Sequence, residues 1–285
     1  MPTIHTPRMT FHYRVHGDAD GLPMVLLHGS FASSRWWEPF FHILPDAIYA
    51  VAPDLRGCGD SSKTATGYDI PDQAEDLAAF VDALDLDQFD LVGHASGGAI
   101  AMEYALQHGH RLHSLILVDT APAEGVFTPL EGLRLLEQMR TDRALLSQAL
   151  ASLMPAAPPP SMEPDAFAAF FAQLVEDAAQ MAPAAFTAVA EALERWNRFE
   201  DVGQLTLPTL LVWGDQDVIV DRDAITRTLI AIPGAGNLEV LRGVGHSPMI
   251  EAPVVLAERI IEFITEDFAE FEEVRETAEE EGGPH

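Results

Sequence analysis

Short apolar runs and helix-like repeats alternate along the first 121 residues. Residues 9–15 alternate between polar and apolar side chains, which predicts a strand with one buried face. Continuous apolar runs predict further buried strands at residues 24–27, 48–52, 89–92 and 115–118. Apolar residues at helical spacing predict helices at 72–84 and 96–108. Strands that alternate with helices indicate a mostly parallel central sheet with helices on both faces, an α/β fold.

The pattern changes after Pro122. From there to about residue 202 no strand is predicted, and helical runs lie near 129–152, 164–180 and 183–197. The proline-rich stretch MPAAPPPSMEP interrupts these runs, because clustered prolines cannot continue a helix. We therefore expect residues 122–202 to form a helical insertion.

Strands and helices alternate again after the insertion. The predicted elements are strands at 209–213 and 238–241 and helices at 222–231 and 253–268. The glutamate-rich end, from about Glu266, is expected to be a solvated helical extension. The predicted core thus comprises residues 1–121 and 203–285.

The composition is strongly acidic. The 285 residues carry a net charge of −29 and a single lysine, Lys63. Nucleic acids and anionic membrane surfaces would be repelled by this charge, so we expect neither as a partner. A saline habitat and a GC-rich genome are both compatible with the bias.

Other features favour a cytoplasmic protein. The single cysteine, Cys58, allows no intramolecular disulfide and no cysteine-based zinc site, and we interpret it as an incidental loop thiol. The first residues lack a basic segment followed by an apolar run, so no signal peptide is expected. No stretch approaches the roughly 20 apolar residues of a membrane span.

The most informative string is LVGHASGGAIAMEYAL, residues 91–106. A buried strand enters Gly93-His94-Ala95-Ser96-Gly97, and a helix follows at once. The central residue of such a turn has a strained backbone, and its neighbours two positions away come too close for a side chain. Position 95 is therefore where a nucleophile is expected, and it holds Ala95. Ser96 is a weaker alternative, because His94 would then occupy a tight position of the turn.

This turn resembles the nucleophile elbow, G-x-S-x-G, of the α/β-hydrolase superfamily. The resemblance extends over about residues 9–265 and is strongest to the esterases, lactonases and C–C hydrolases that carry a helical cap. It implies an α/β-hydrolase fold in which residues 122–202 form the cap.

Two further segments resemble parts of the same family. LLHGSF, residues 26–31, resembles the oxyanion loop, which implies that the backbone N–H groups of Ser30 and Ser96 stabilise a developing oxyanion. His28 is interpreted as structural. PDLRGCGDSS, residues 53–62, resembles a turn beside the site, where Asp54 and Arg56 are expected to brace loops.

The remaining motifs imply an acid and a base. PTLLVWGDQDV points to Asp217 as the triad acid, with Asp215 and, more remotely, Asp119 as alternatives. GVGHSPMIEAP points to His246 as the base, with Glu251 fixing the local structure. In an active relative the histidine would take the proton of the nucleophile and the aspartate would orient the imidazole.

The alanine at position 95 has two explanations. An engineered substitution in an active enzyme is favoured, because both triad partners are present; a natural pseudo-hydrolase that binds without turnover is the alternative. The lost nucleophile is interpreted as serine. Aspartate, as in dehalogenases and epoxide hydrolases, is less consistent with Ser96 and Phe31, and cysteine is weaker still.

Aromatic and apolar residues suggest a hydrophobic ester or lactone as the substrate. The residues expected at the pocket are Phe31, Trp36, Trp37, Met154, Phe171 and Trp196. HGSFAS departs from the H-G-S-G-P-G of many C–C hydrolases, which lowers that possibility. No metal and no cofactor are predicted, and the chain is expected to be a monomer or a homodimer.

Overall fold

The computed structural model describes residues 2–265, which are built around one β-sheet. Its strands are β1 (Thr3–His5), β2 (Thr10–His16), β3 (Leu22–Leu27), β4 (Ile48–Pro53), β5 (Phe89–His94), β6 (Leu112–Val118), β7 (Thr209–Gly214) and β8 (Ala235–Leu241). Their order across the sheet is β1-β2-β4-β3-β5-β6-β7-β8. The β1–β2 and β2–β4 pairs are antiparallel and the others are parallel. The predicted mostly parallel sheet is therefore confirmed.

Helices cover both faces of this sheet. They are α1 (Glu38–Phe41), α2 (Ile70–Ala83), α3 (Ser96–His108), α4 (Leu130–Met139), α5 (Arg143–Ser152), α6 (Pro164–Ala179), α7 (Ala185–Arg195), α8 (Arg222–Ala231), α9 (Pro248–Glu251) and α10 (residues 253–265). Successive side chains of β3 enter different cores: Met24 and Leu26 one, Val25 and Leu27 the other. This alternation follows from the pleat and shows that the strand is buried on both sides.

The helical insertion lies between β6 and β7, where α4 to α7 occur without a strand among the described residues. The run predicted near 129–152 consists of two helices rather than one. Asp142 begins the second, because its side chain accepts hydrogen bonds from the backbone N–H groups of Ala144 and Leu145, both at 3.0 Å. The sequence signal for this boundary is the polar run at residues 140–143, which contains the capping residue Asp142.

The other boundaries differ by a few residues from the prediction. β1 was not predicted, because three residues are too few to show a period. The helix predicted at 253–268 is described to residue 265, and the acidic extension from Glu266 lies outside the described residues. Between residues 2 and 265, no helix is long and apolar enough to cross a membrane.

The parallel strands set the position of the candidate site. Leu27 of β3 lies beside Gly93 of β5, and His94 lies beside Val118 of β6. The carboxyl ends of β3, β5, β6 and β7 consequently share one edge of the sheet. Ligands of open α/β sheets bind at such an edge.

Candidate active site

Ala95 forms a sharp turn between β5 and α3. Its backbone has φ 51° and ψ −121°, a conformation that costs a non-glycine residue of order 1–3 kcal/mol. Hydrogen bonds hold the turn: the Ala95 N–H donates to the Val118 carbonyl at 3.1 Å, and the Ala95 carbonyl accepts from the N–H groups of Gly98 and Ala121, both at 2.9 Å. The predicted strained turn is confirmed, with an alanine at its apex.

The glycines around Ala95 are required by close backbone contacts. A Cβ on Gly93 would lie 2.7 Å from the carbonyl oxygen of Gly97, and a Cβ on Gly97 would lie 2.5 Å from that of His28. Real Cβ atoms do not approach so closely. The two flanking positions therefore exclude any larger residue, as the sequence predicted.

The loop after β3 lies directly against this turn. A Cβ on Gly29 would come within 2.8 Å of the Ala95 Cβ. The hydroxyl oxygens of Ser30 and Ser96 are 3.0 Å apart, so the two residues expected to supply oxyanion donors are neighbours. Ser96 is also the first residue of α3, where backbone N–H groups have no partner within the helix. The N-terminal end of α3 favours negative charge at this point.

His246 and Asp217 form a buried pair on the adjacent loops. Nδ1 of His246 lies 2.8 Å from Oδ2 of Asp217, and their side chains are 5% and 0% exposed. The N–H groups of Ile219 and Val220 also donate to Asp217, at 2.7 and 3.1 Å. Burial by itself would raise the pKa of Asp217, but its hydrogen bond with His246 and these backbone donors outweigh burial and lower it. The charged carboxylate thus orients the imidazole, leaving Nε2 for a reacting group.

The two alternative acids occupy different places. Asp215 accepts a hydrogen bond from the Gly243 N–H at 2.7 Å on the exposed side of the loop. Asp119 is fully buried and accepts from the Gly214 N–H at 2.9 Å. Burial and the charge of Asp217 raise the pKa of Asp119 well above its usual value. Both effects favour the protonated form of Asp119 beside the Asp217–His246 pair.

Asp119, Asp217 and His246 also form the only set of potential metal ligands identified among residues 2–265. One ligand atom from each lies within 4.8 Å of the others. Two carboxylates and an imidazole are ligand types that a divalent cation accepts. However, His246 and Asp217 are already hydrogen-bonded to each other.

His94 is a site residue that sequence reasoning did not single out. Its Nε2 lies 2.7 Å from the carbonyl oxygen of His246, and its ring packs 4.9 Å from the His246 ring. Burial, followed by the proximity of His246, lowers the pKa of His94 to about 3, so the ring is neutral and donates this hydrogen bond. The signal was its place in the turn, one residue before Ala95.

Glu251 fixes the loop that carries His246. Its carboxylate accepts from the N–H groups of Gly245, at 3.1 Å, and Ser247, at 3.0 Å. It also accepts from the Ala156 N–H of the helical insertion at 2.8 Å. The loop is therefore tied to the insertion as well as to α9.

Asp54 and Arg56 brace loops, as expected. Asp54 accepts from the Ser34 N–H at 2.7 Å and contacts His12 Nδ1 at 2.9 Å. Burial alone would raise the pKa of Asp54, but these hydrogen bonds lower it. Arg56 donates twice to Asp76, both at 2.7 Å, a bidentate pair that raises the pKa of Arg56.

Two other residues, His28 and Cys58, are buried and do not belong to the His246–Asp217 pair. His28 contacts the Gly29 carbonyl oxygen through Nδ1 at 2.8 Å and accepts from the Leu55 N–H through Nε2 at 3.0 Å. Burial lowers the pKa of His28, so it is a neutral support for the loop. Cys58 is buried, which raises the pKa of its thiol to about 12 and keeps it unreactive.

A cavity of about 300 Å³ opens beside Ala95 and His246. The lining residues are Ser30, Phe31, Trp36, His94, Ala95, Ser96, Ala121, Val126, Leu135, Leu136, Met139, Ala149, Leu150, Ser152, Leu153, Leu193, Ile219, Val220 and His246. Phe31 and Trp36 are thus at the pocket. The other four residues expected there do not line it: Trp37, Met154, Phe171 and Trp196.

Those four side chains have packing roles instead. Trp37 is fully buried and packs edge-on against Phe40. The indole N–H of Trp196 donates to Glu103 at 2.8 Å in a different core. Phe171 packs against neighbouring aromatic rings of α6, and Met154 is buried in the core beneath the insertion. Which face of a helix meets the cavity depends on tertiary contacts that residue type does not reveal.

Comparisons with known proteins agree with the fold. A profile of the alpha/beta hydrolase family matches residues 24–259. RutD of Variovorax paradoxus, whose suggested activity is carbamate hydrolysis, is 30% identical over 264 residues, covering 90% of this chain and 96% of that one. A solved membrane phospholipase A, described as a bacterial virulence factor, is 27% identical with a TM-score of 0.80, covering 93% and 86%. Est816, an N-acyl homoserine lactone degrading enzyme, is 27% identical with a TM-score of 0.75, covering 92% and 100%.

Proposed function

This chain belongs to the alpha/beta hydrolase family, and we propose that it has the site of a serine hydrolase of carboxylic esters or lactones from which the nucleophile is missing. The observation that carries the proposal is the His246–Asp217 pair, whose histidine lines the same cavity as the strained turn at Ala95. A strained residue at a sharp strand-to-helix turn is typical of a site where a side chain must be presented to a substrate.

The proposed chemistry is acyl transfer with a serine at position 95. His246 Nε2 would accept the hydroxyl proton as the oxygen attacks the substrate carbonyl, and Asp217 would stabilise the imidazolium. The N–H groups of Ser30 and Ser96 would donate to the tetrahedral oxyanion. His246 would then protonate the leaving alcohol, and water activated by His246 would release the acid and regenerate the serine.

The relatives favour acyl substrates. The phospholipase and the N-acyl homoserine lactone degrading enzyme act on molecules with acyl chains, and the suggested substrate of RutD is a carbamate. In all three reactions the carbonyl group that is attacked is bonded to an oxygen or a nitrogen atom. The cavity beside Ala95 is mostly apolar, which suits an ester or lactone with a hydrocarbon part.

We also propose that residues 122–202 act as a cap over a core of residues 1–121 and 203–285. Cavity-lining residues come from α4, α5 and α7 of the insertion. Polar contacts attach it to the core: Asp177 of α6 accepts hydrogen bonds from the Ser33 hydroxyl at 2.7 Å and from Arg35 Nε at 2.8 Å. A cap held in this way would exclude water from the reacting carbonyl.

With Ala95 in place, this chain should be nearly inert. An alanine methyl cannot attack a carbonyl, and loss of the serine of a triad can reduce turnover by about 10⁶ while binding is largely retained. We favour an engineered substitution, because the strained turn and both partner residues are present.

The first prediction is that Ala95→Ser creates esterase or lactonase activity. Against short aryl esters and a set of lactones, we expect an increase in kcat/KM of about 10⁴-fold or more over this chain. Steady-state kinetics on both proteins would measure it. The double variant Ala95→Ser/His246→Gln is the matched control, because it keeps the nucleophile and removes the base. A folded Ala95→Ser protein that hydrolyses none of these substrates would contradict the proposal.

The second candidate is a binding protein without catalysis, which Ala95 itself favours. In that case the cavity would bind a ligand, and the Ala95→Ser variant would bind the same ligand without hydrolysing it. The kinetic experiment separates the two, because only the hydrolase gains turnover.

A further inference from the structure

Among residues 2–265, no acidic, lysine or arginine side chain lines the cavity. Its polar groups are three serines and two histidines, and the other lining residues are apolar. The pKa of one of these histidines, His94, is lowered to about 3, so its ring carries no charge at neutral pH. The whole chain has 45 acidic residues against 16 lysines and arginines, which makes a charge-free wall an informative exception.

An anionic substrate would be poorly accommodated in this cavity. A carboxylate placed among these residues would find no arginine or lysine with which to pair. Burying an unpaired charge is strongly unfavourable. The buried carboxylate of Asp217 lies next to His246, and it would repel a second negative charge.

The cavity volume limits what can be fully enclosed. Small-molecule sites in proteins measure about 300–1,000 Å³, so at about 300 Å³ this cavity is at the small end of that range. We therefore expect it to enclose a short ester such as ethyl hexanoate, and a longer chain to extend beyond it.

An apolar path continues from the cavity to the surface. Leu135 of α4 and Ile219, after Asp217, both line the cavity, although they are 46% and 60% exposed. Each of two further exposed apolar side chains is next in sequence to a residue that lines the cavity: Phe127, 74% exposed, follows Val126, and Val218, 68% exposed, precedes Ile219. We call Phe127, Leu135, Val218 and Ile219 the apolar rim.

We infer that the site takes an uncharged ester or lactone with an aliphatic acyl chain, whose far end leaves the cavity across the apolar rim. The carbonyl lies beside Ala95, Ser30 and Ser96, and the chain passes Leu136 and Leu150. The identity of the bond rests on the proposed function, whereas the preference for an uncharged chain rests on the cavity wall and can be measured by binding alone.

The first test measures binding to the chain as it is, with Ala95. Three probes share one skeleton: ethyl hexanoate, monoethyl adipate with a terminal carboxylate, and ethyl methyl adipate, a neutral diester that controls for size. We expect calorimetry to show that the half-ester binds at least about tenfold more weakly than either neutral ester. Equal or tighter binding of the half-ester, or no binding of either neutral ester, would overturn the inference.

The second test examines the apolar rim with chains of different length. Affinity should increase from ethyl butanoate to ethyl hexanoate and should not fall at ethyl decanoate. Phe127→Asp should weaken ethyl decanoate by about fivefold or more with little effect on ethyl butanoate, since Phe127 does not line the cavity and only the longer chain reaches the rim. Ile230→Asp is the matched control, because Ile230 is 79% exposed on α8 and does not line the cavity. A fall in affinity beyond ethyl hexanoate, or equal effects of the two variants, would contradict the exit across the rim.

Kinetics of Ala95→Ser separate this inference from the proposed function. If the neutral esters bind as expected but are not hydrolysed, the proposed function fails and the cavity inference stands. If the serine variant hydrolyses monoethyl adipate in preference to ethyl methyl adipate, the proposed function stands and the inference fails.

Discussion

Asp119 illustrates how one buried residue affects both the site and the stability of the protein. Its Oδ2 has no hydrogen-bond partner among the described groups and lies near the charged Asp217. The pKa of Asp119 is raised from the usual 3.8, first by burial and then by Asp217. The folded protein therefore retains a proton that the unfolded chain loses as pH rises above about 4. By linkage, the free energy of unfolding decreases with increasing pH over that interval.

We predict that Asp119→Asn stabilises the protein near neutral pH. The asparagine can accept from the Gly214 N–H and donate to Asp217 without taking up a proton. For a chain of this size a gain of about 1 kcal/mol raises Tm by about 2 °C, and we expect at least that increase at about pH 7. Calorimetry as a function of pH should show the gain shrinking as pH falls toward 4.

Asp46→Asn is the control for Asp119→Asn. It removes one negative charge from an exposed position, where no large change in Tm is expected. A lower Tm for Asp119→Asn at neutral pH, or a difference from the parent that grows toward acid, would contradict a protonated Asp119.

At the residue level, the sequence predicted the groups fixed by short motifs. Ala95, Ser96, Asp217 and His246 could be located because a sharp turn and strand ends determine their positions. The proton on Asp119 was not predictable, since it depends on the approach of two loops that are distant in sequence. Four residues expected at the pocket do not line it, because a large apolar side chain suits the wall of a cavity and a hydrophobic core equally well.

Among the helices, Glu103 of α3 connects the core to the end of the insertion. It accepts hydrogen bonds from Trp196 Nε1 and Arg198 Nε, both at 2.8 Å, and its side chain is 2% exposed. Burial alone would raise the pKa of Glu103, but the bonds from Arg198 and Trp196 outweigh it and lower the pKa. The carboxylate therefore stabilises the fold above its usual pKa of 4.5, and this contribution is lost as pH falls below it.

We predict that Glu103→Gln destabilises the protein by about 2 kcal/mol near neutral pH, because Arg198 loses its buried partner. Thermal unfolding should show a Tm lower by about 4 °C. The difference between variant and parent should shrink as pH falls, since protonation removes the same charge from the parent.

Glu137→Gln provides the comparison for Glu103→Gln. Glu137 pairs with Arg140 on exposed α4 at 2.8 Å, and such surface pairs contribute little to stability. Equal decreases of Tm in the two variants would show that the contacts of Glu103 with Trp196 and Arg198 stabilise the protein no more than a surface ion pair does.

The predicted succession of strands and helices was largely correct because hydrophobic periodicity reports burial on each side of an element. Periodicity does not determine the order of the strands, because that order depends on which strands pair across the sheet. The contacts that attach the insertion, such as Asp177 with Ser33 and Arg35, join residues more than 140 positions apart. No local pattern predicts them.

For the whole molecule, the net charge of −29 is the dominant electrostatic feature. Repulsion among like charges destabilises a compact chain, and salt screens it. The screening length falls from about 30 Å at 0.01 M salt to about 10 Å at 0.1 M. We predict that Tm increases with sodium chloride and that most of the increase occurs below about 0.2 M.

Thermal unfolding in sodium chloride and in sodium sulfate would test this prediction. Screening depends on ionic strength, so the two salts should give one curve when compared at equal ionic strength. A Tm that rises steadily to molar concentrations, and more with sulfate, would indicate exclusion of the salt from the protein surface instead.

The backbone conformation at Ala95 determines what a single mutation at this position can change. The φ of 51° is imposed by the turn and its hydrogen bonds, so it does not depend on what the side chain can do. Serine has the same Cβ as alanine, so the strained backbone conformation costs it a similar free energy. The codons of the two residues can differ by a single base. Under the proposed function, one point mutation in the gene would convert an inactive protein into an active enzyme, or the reverse, without any change in its fold.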